Sequence, residues 1–241
     1  MTVSVEITEV NKQFHKHVVL KDISLTVQKG KIFGMIGPSG CGKTTLIKVM
    51  VGMLKPDSGN VIVLDKPVPQ FDQLEKIGYM AQSDALYTDL TGYENLKFFA
   101  KLYGFPKKQR DQQIAYAAEV VQLTDDLKRK VQDYSGGMKR RLSLAIALIQ
   151  NPEILILDEP TVGIDPALKK IIWQELERLR DEEQKTIFIT THVMDEAEKC
   201  DELALMREGK IIAQGMPVEL KSQFEADNFD DVFLKAGGQL S

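Results

Sequence analysis

Short apolar runs and turn residues divide the chain into segments of two different periods. Val3 to Val10, Ile23-Ser24-Leu25-Thr26-Val27 and Lys31-Ile32-Phe33-Gly34-Met35-Ile36 are β-branched or alternating stretches bounded by turns, and they read as strands. From Lys43 the period changes: Leu46, Ile47, Met50 and Val51 share one helical face until Lys55-Pro56-Asp57-Ser58-Gly59 interrupts it. Between about Asp84 and Gln150 the helical period dominates, with segments at Glu94 to Tyr103, Lys107 to Gln122 and Gly137 to Ile149. Strands return at Ile154 to Leu157, Thr186 to Thr190 and Glu202 to Met206, with a helical stretch from Ala167 to Arg180. Alternating strands and helices predict an α/β fold with a mainly parallel sheet, and the helical segment predicts an inserted lobe. Ser222 to Ser241 shows no clear period.

Composition narrows the class. A chain of 241 residues that is 43% hydrophobic has enough apolar material for one substantial core. Its 31 basic and 35 acidic residues give a net charge of -4, so no global electrostatic argument favours a nucleic acid partner. Cys41 and Cys200 have no metal-type spacing, which suits a reduced, cytoplasmic setting. The N-terminus lacks the basic start and apolar block of a secretory signal. Apolar runs such as Ile154-Leu155-Ile156-Leu157 fall far short of the roughly 20 residues that span a bilayer. Any membrane role is expected to run through a partner.

Two constellations carry chemistry. Gly37-Pro38-Ser39-Gly40-Cys41-Gly42-Lys43-Thr44 follows a predicted strand and opens a predicted helix. In such a phosphate loop, glycines turn backbone N–H groups toward phosphate oxygens at a helix N-terminus. Lys43 is expected to reach the β- and γ-phosphates, Thr44 to offer a hydroxyl to Mg²⁺, and Thr45 to extend the donors. The second constellation is the apolar run Ile154 to Leu157 ending in Asp158 and Glu159. It suits a strand buried on both faces, with carboxylates at the exit where active sites collect. Asp158 is expected to hold Mg²⁺, and Glu159 to orient or deprotonate the water that attacks the γ-phosphate. A third element, Tyr134-Ser135-Gly136-Gly137-Met138, offers a serine cap and exposed backbone donors at a helix start, which alone is usually nothing more than a helix start.

In this order the three motifs resemble the nucleotide-binding domain of ABC transporters over roughly Val3 to Leu220. The resemblance implies the ABC ATPase fold: a phosphate-loop core, an N-terminal antiparallel β subdomain and a helical subdomain at about 84–150. Domain bounds of 1–220 follow, with a C-terminal tail at 221–241 that has no assigned role. The resemblance also implies that Ser135, Gly136, Gly137 and Met138 contact nucleotide, although Tyr134 and Met138 stand where the family consensus has leucine and glutamine. Gln82, after the strand Ile77-Gly78-Tyr79-Met80, is implied near Mg²⁺ and the attacking water. His192 is implied as the switch histidine on the γ-phosphate. Phe14 resembles the residue that stacks on adenine, though a core phenylalanine would read the same. Asp165 matches the loop that signals between two sites, with Val162 replacing its usual serine.

In this family ATP lies between the phosphate loop of one subunit and the signature of another, so a second nucleotide-binding subunit is implied. A transmembrane permease is implied too, placing the chain peripherally on the inner face of the cell membrane. Tyr93, Leu96, Phe99, Leu102 and Tyr103 either line a groove for that permease or pack in the core. The run Gly137 to Leu142, with Thr161 to Pro166, resembles the branch that exports drugs, antibiotics or lipids. Two other readings remain: a non-transport ABC ATPase coupled to a soluble complex, and a small-molecule kinase, against which Ser135, Asp165 and His192 argue.

Overall fold

The computed structural model describes residues 2–83 and 85–238. An antiparallel sheet comes first, built from β1 (Val3–Phe14), β2 (His17–Gln28), β4 (Ser58–Val63) and β5 (Lys66–Pro67) in the order β2-β1-β4-β5. The second sheet contains β3 (Ile32–Ile36), β6 (Ile77–Met80), β7 (Ile154–Asp158), β8 (Thr186–Thr191), β9 (Glu202–Arg207) and β10 (Lys210–Gly215). Its order is β10-β9-β3-β8-β7-β6, parallel throughout except for the edge strand β10. The fold is therefore α/β with a mainly parallel sheet beside an antiparallel one, as the resemblance implied.

The apolar run of β7 is continuous because both faces of the second sheet are covered. Successive side chains of a strand point to opposite faces. Ile154 and Ile156 accordingly join Phe33, Met35 and Phe188 in a core shared with the antiparallel sheet and with α1 (Lys43–Met50). Leu155 and Leu157 join the opposite core with Ile187, Ile189, Leu203 and Leu205. That second core is capped by α2 (Gly92–Leu102), α3 (Lys107–Val120), α4 (Gly136–Leu148) and α5 (Pro166–Asp181). The rings of Phe33 and Phe188, neighbours in the β3–β8 ladder, stack with centroids 5.5 Å apart.

Helix α2 starts where its sequence dictates: the Thr91 side chain accepts from the Glu94 backbone, and Glu94 returns a bond to the Thr91 backbone. The helical stretch expected from about 84 to 150 holds α2, α3 and α4, while Asp84, its expected first residue, lies outside the described residues. Sequence periodicity missed β4 and β10, whose short runs alternate weakly. It also missed α6 (Pro217–Gln223) and α7 (Phe229–Ala236). At eight residues, α7 barely completes two turns, too few for a visible period. Nevertheless Asn228 caps it and it buries Phe229 and Val232 in the larger core. Residues 239–241 of the expected tail lie outside the described residues.

Register is what positions the site. Ile36 of β3 lies beside Thr191 of β8, Asp158 of β7 beside Thr190, and Met80 of β6 beside Leu157. The C-terminal ends of four parallel strands therefore stop at one edge of the sheet. Whatever follows them in sequence is collected there.

Candidate functional site

The loop after β3 is shaped by glycines in conformations that other residues resist. Gly40 and Gly42 have φ of 80° and 117°, and Gly42 also has no room for a side chain, since a Cβ there would lie 2.9 Å from the Val19 carbonyl oxygen. Lys43 is buried, and its ammonium donates to the carbonyls of Gly37 at 2.7 Å and Pro38 at 3.1 Å. The same Nζ lies 3.8 Å from Glu159 Oε1. Beside the loop is a cavity lined by Val19, Ser39, Gly40, Gly42, Lys43, Thr44, Thr45, Gln82 and Glu159. Pro38 and Cys41 complete the loop, and burial pushes the Cys41 thiol above its ordinary value against the pull of Lys43.

Asp158 and Glu159 stand at the end of β7 with different constraints. The Thr190 hydroxyl donates to Asp158 Oδ1, whereas the buried Oδ2 has no partner among the described residues. An orphaned buried carboxylate oxygen is costly unless something fills its lone pairs. Glu159 has φ of 53°, a left-handed conformation that a non-glycine residue holds only when its surroundings impose it. Its N–H donates to the carbonyl and the hydroxyl oxygen of Thr190, both at 3.1 Å. Its carboxylate is 3.1 Å from His192 Nδ1 and accepts from Gln82 Nε2 at 3.5 Å. Gln82 Oε1 in turn lies 3.4 Å from the Thr44 hydroxyl. Lys43, Thr44, Gln82, Asp158, Glu159 and His192 thus meet at one sheet edge.

The remaining expected positions lie elsewhere. Phe14 ends β1 with 43% of its surface exposed, so it is no core phenylalanine, and Lys12 Nζ sits 5.6 Å from its ring centroid. It does not line the cavity. Ser135 caps α4, accepting from the Met138 N–H at 3.2 Å, with Gly136 and Gly137 in its first turn. A Cβ on Gly137 would lie 3.0 Å from the Gly163 carbonyl oxygen, which places the signature against the loop leading to Asp165. Asp165 caps α5 by accepting from the Leu168 N–H. None of Ser135, Gly136, Gly137, Met138 or Asp165 lines the phosphate-loop cavity of its own chain. On the helical face, Leu96 is buried in the core, while Tyr93, Phe99 and Tyr103 are half-buried. The exposed apolar surface consists instead of Leu102 (65%), Tyr87 (48%) and Phe98 (37%), the two rings packing edge to face.

Sequence reasoning missed three residues around the site. Val19 of β2 lines the cavity from a strand far away in sequence. Arg140 is buried and reaches the backbone of both the Gln82 and the Glu159 segments. Its signal was present: Arg140 precedes Leu144 and Leu148 by four and eight residues, on the apolar face of α4. Glu196 is buried in a 3₁₀ turn, Met194–Lys199, where it accepts from the Thr161 hydroxyl and lies 2.7 Å from Lys169 Nζ.

Burial alone would raise the Glu196 carboxyl. Hydrogen bonds from Lys169, Thr161 and Thr191, with the charge of Lys169, outweigh it and hold the group below the usual carboxylate range. A depressed folded-state pKa contributes stability above the unfolded value and loses it as pH falls through the folded one. Glu196→Gln is therefore expected to cost about 2 kcal/mol near neutral pH. The gap from the parent should narrow below about pH 4. Thermal unfolding across that range measures it, and a gap independent of pH would contradict the assignment.

A glycine loop between a strand and a helix N-terminus, with carboxylates at the end of a parallel strand one place removed in the same sheet, defines a phosphate-loop nucleoside triphosphatase. Residues 20–162 match the model of the ABC transporter family, and the chain belongs to that family. A protein of Cupriavidus metallidurans named Nod factor export ATP-binding protein I is 39% identical over 223 residues, covering 91% of this chain and 73% of the relative. An Escherichia coli K12 protein named as a probable multidrug ABC transporter ATP-binding protein is 37% identical over 229 residues, covering 94% of this chain but only 39% of that longer protein. Among solved structures, a dimeric ATP-binding cassette in a post-hydrolysis state with ADP and Pi superposes with a TM-score of 0.81. It is 25% identical, with 88% of this chain and 98% of that one covered. The chain is an ATP-binding ATPase subunit whose relatives include exporters. Among the described residues, no helix is long and apolar enough to cross a membrane.

Proposed function

We propose that this chain closes with a second nucleotide-binding subunit around ATP and so drives export of a drug, antibiotic or lipid through a separate transmembrane permease. The observation that carries the reading is the Glu159 carboxylate, held at the sheet edge among Lys43, Gln82 and His192. A carboxylate fixed there accepts the proton of a water directed at the terminal phosphate. His192 and Gln82 hold its orientation, and Lys43 with the loop amides neutralises the phosphates. Thr44, Gln82 and Asp158 offer only oxygen donors, the kind that Mg²⁺ prefers, and the unpartnered Asp158 Oδ2 fits that use. Bound there, Mg²⁺ would neutralise charge developing on the phosphate oxygens.

Two features support the dimer. Ser135, Gly136, Gly137 and Met138 form a capped helix start, which favours an anion, yet none of them lines the cavity of its own chain. Asp165, which caps α5 after the adjoining loop, would carry signals between the two sites, and Phe14, exposed at the end of β1, would stack on adenine. Export is supported by the names of the relatives, and the face of Tyr87, Phe98 and Leu102 offers an apolar seat for a permease segment. The chain would then sit on the cytoplasmic side of the membrane.

The test is reconstitution. Purification from native membranes, followed by incorporation into proteoliposomes, should yield a multi-spanning partner and ATP-dependent efflux. Leu102→Glu should lose at least about 10-fold in partner binding while basal ATP hydrolysis stays unchanged. A soluble complex in place of a membrane partner, or efflux that survives Leu102→Glu, would count against this reading and this surface respectively.

A further inference from the structure

Arg140 lies in the second turn of α4, five residues after the cap Ser135. Its guanidinium is buried, and its donors divide in pairs. Nη1 donates to the carbonyls of Ala81 at 2.7 Å and Gln82 at 2.9 Å. Nη2 donates to the carbonyls of Asp158 and of Glu159, the latter at 2.8 Å. Each terminal nitrogen carries two hydrogens, so the fork matches four carbonyls from two different strand exits. No other side chain among the described residues joins the Gln82 segment to the Glu159 segment through their backbones.

Glu159 is where this matters. Its φ of 53° belongs to a sparsely populated region and persists because both of its backbone polar groups are engaged, the N–H by Thr190 and the C=O by Arg140 at 2.8 Å and by the Val162 N–H at 3.3 Å. The direction of its carboxylate follows from that backbone. Gln82 is held in the same way by a carbonyl bond, and its side chain bridges Thr44 and Glu159. The four carbonyls that Arg140 meets belong to the Gln82 and Glu159 segments and not to the loop from Gly37 to Thr45.

We propose that Arg140 is the positioning residue for the water-activating carboxylate, fixing Glu159 and Gln82 through their backbones. It also joins them rigidly to the helix that begins with Ser135, Gly136 and Gly137. The inference rests on the reading of Glu159 as the hydrolytic base and of Ser135 to Met138 as the surface presented to another subunit's nucleotide. It goes further, because it makes one side chain the mechanical link between the two sites. Pressure of a bound nucleotide on the α4 terminus reaches the carboxylate of the same chain through the guanidinium, with no intervening flexible loop.

The experiment is a double-mutant cycle on the full chain. Arg140→Lys retains the charge but offers one nitrogen in place of the fork, and Arg140→Met fills the space should lysine prove tolerated. In the folded variant, confirmed by thermal unfolding, turnover should fall by about 10 to 10²-fold. ATP affinity should stay within about threefold, because the phosphate loop is untouched. In the Glu159→Gln background, Arg140→Lys should cost no further turnover, since the group it positions is already disabled. A merely structural role would lower affinity along with turnover and add its loss to that of Glu159→Gln. Either result, or parental turnover in both Arg140 variants, overturns the proposal while leaving Glu159 in place. Full hydrolysis by Glu159→Gln alone would overturn the underlying reading and this proposal with it.

Discussion

Glu159→Gln is expected to retain ATP binding while turnover falls by roughly 10²-fold or more, and to trap an ATP-dependent dimer. Glutamine has the same shape, and its amide can still pack against His192 and Gln82, so the geometry of the β7 exit survives. What it loses is the ability to take a proton from water. It also removes a negative charge 3.8 Å from Lys43, on the side where phosphates bind, so affinity should be unchanged or improved. ATP that binds and is not cleaved keeps both subunits engaged. Phosphate release measures turnover, and size-exclusion chromatography with and without ATP measures the dimer. Undiminished hydrolysis would remove Glu159 from its role, and a monomer at saturating ATP would remove the sandwich.

Lys43→Ala is expected to act at the opposite step, weakening nucleotide affinity by about 10 to 10²-fold. That is the equivalent of a lost charged hydrogen bond of about 1.5–3 kcal/mol. Two physical losses combine. The phosphates lose their nearest buried cation, and the loop loses the bonds to Gly37 and Pro38 that hold its carbonyls back from the ligand. Lys43 also neutralises charge that develops on the phosphates during cleavage, so residual turnover should fall further than affinity. Titration with a nucleotide under non-hydrolysing conditions separates the two effects. Parental affinity in the variant would show that Lys43 serves the loop rather than the phosphates. Together the two variants divide the site into a binding half and a hydrolytic half.

Much of this was legible in the residues. The phosphate loop could be read because its chemistry is local: glycines at the left-handed positions 40 and 42, a lysine at the first helical turn and a strand just before. Strand β7 could be read because burial on both faces leaves no polar position until Asp158. Ser135 carries a side chain that caps helices and does so, whereas the cap that Asp165 provides was not read from the sequence. The aromatic face of α2 was read less well. Period alone left Leu96 open between a partner-facing groove and the core, where it is wholly buried, while Tyr87 enters the exposed patch from outside the helix. Helical periodicity identifies an apolar stripe but not what covers it. Arg140 was passed over because it sits in a run of basic residues that ordinarily faces water, and only the ends of β6 and β7 give it carbonyls to bind.

By itself, then, the sequence determined the nucleotide loop, the carboxylate pair, the Ser135 cap and the family, because each depends on neighbours a few positions away. The tertiary structure decided that Lys43, Gln82, Glu159 and His192 meet, that Glu159 takes a strained backbone, and that Arg140 fastens it. Gln82 and Glu159 are 77 positions apart, and Glu159 and His192 are 33 apart. Nothing in local propensity encodes such distances. They are set by the order in which β3, β6, β7 and β8 line up, and by the burial on both faces that holds that order.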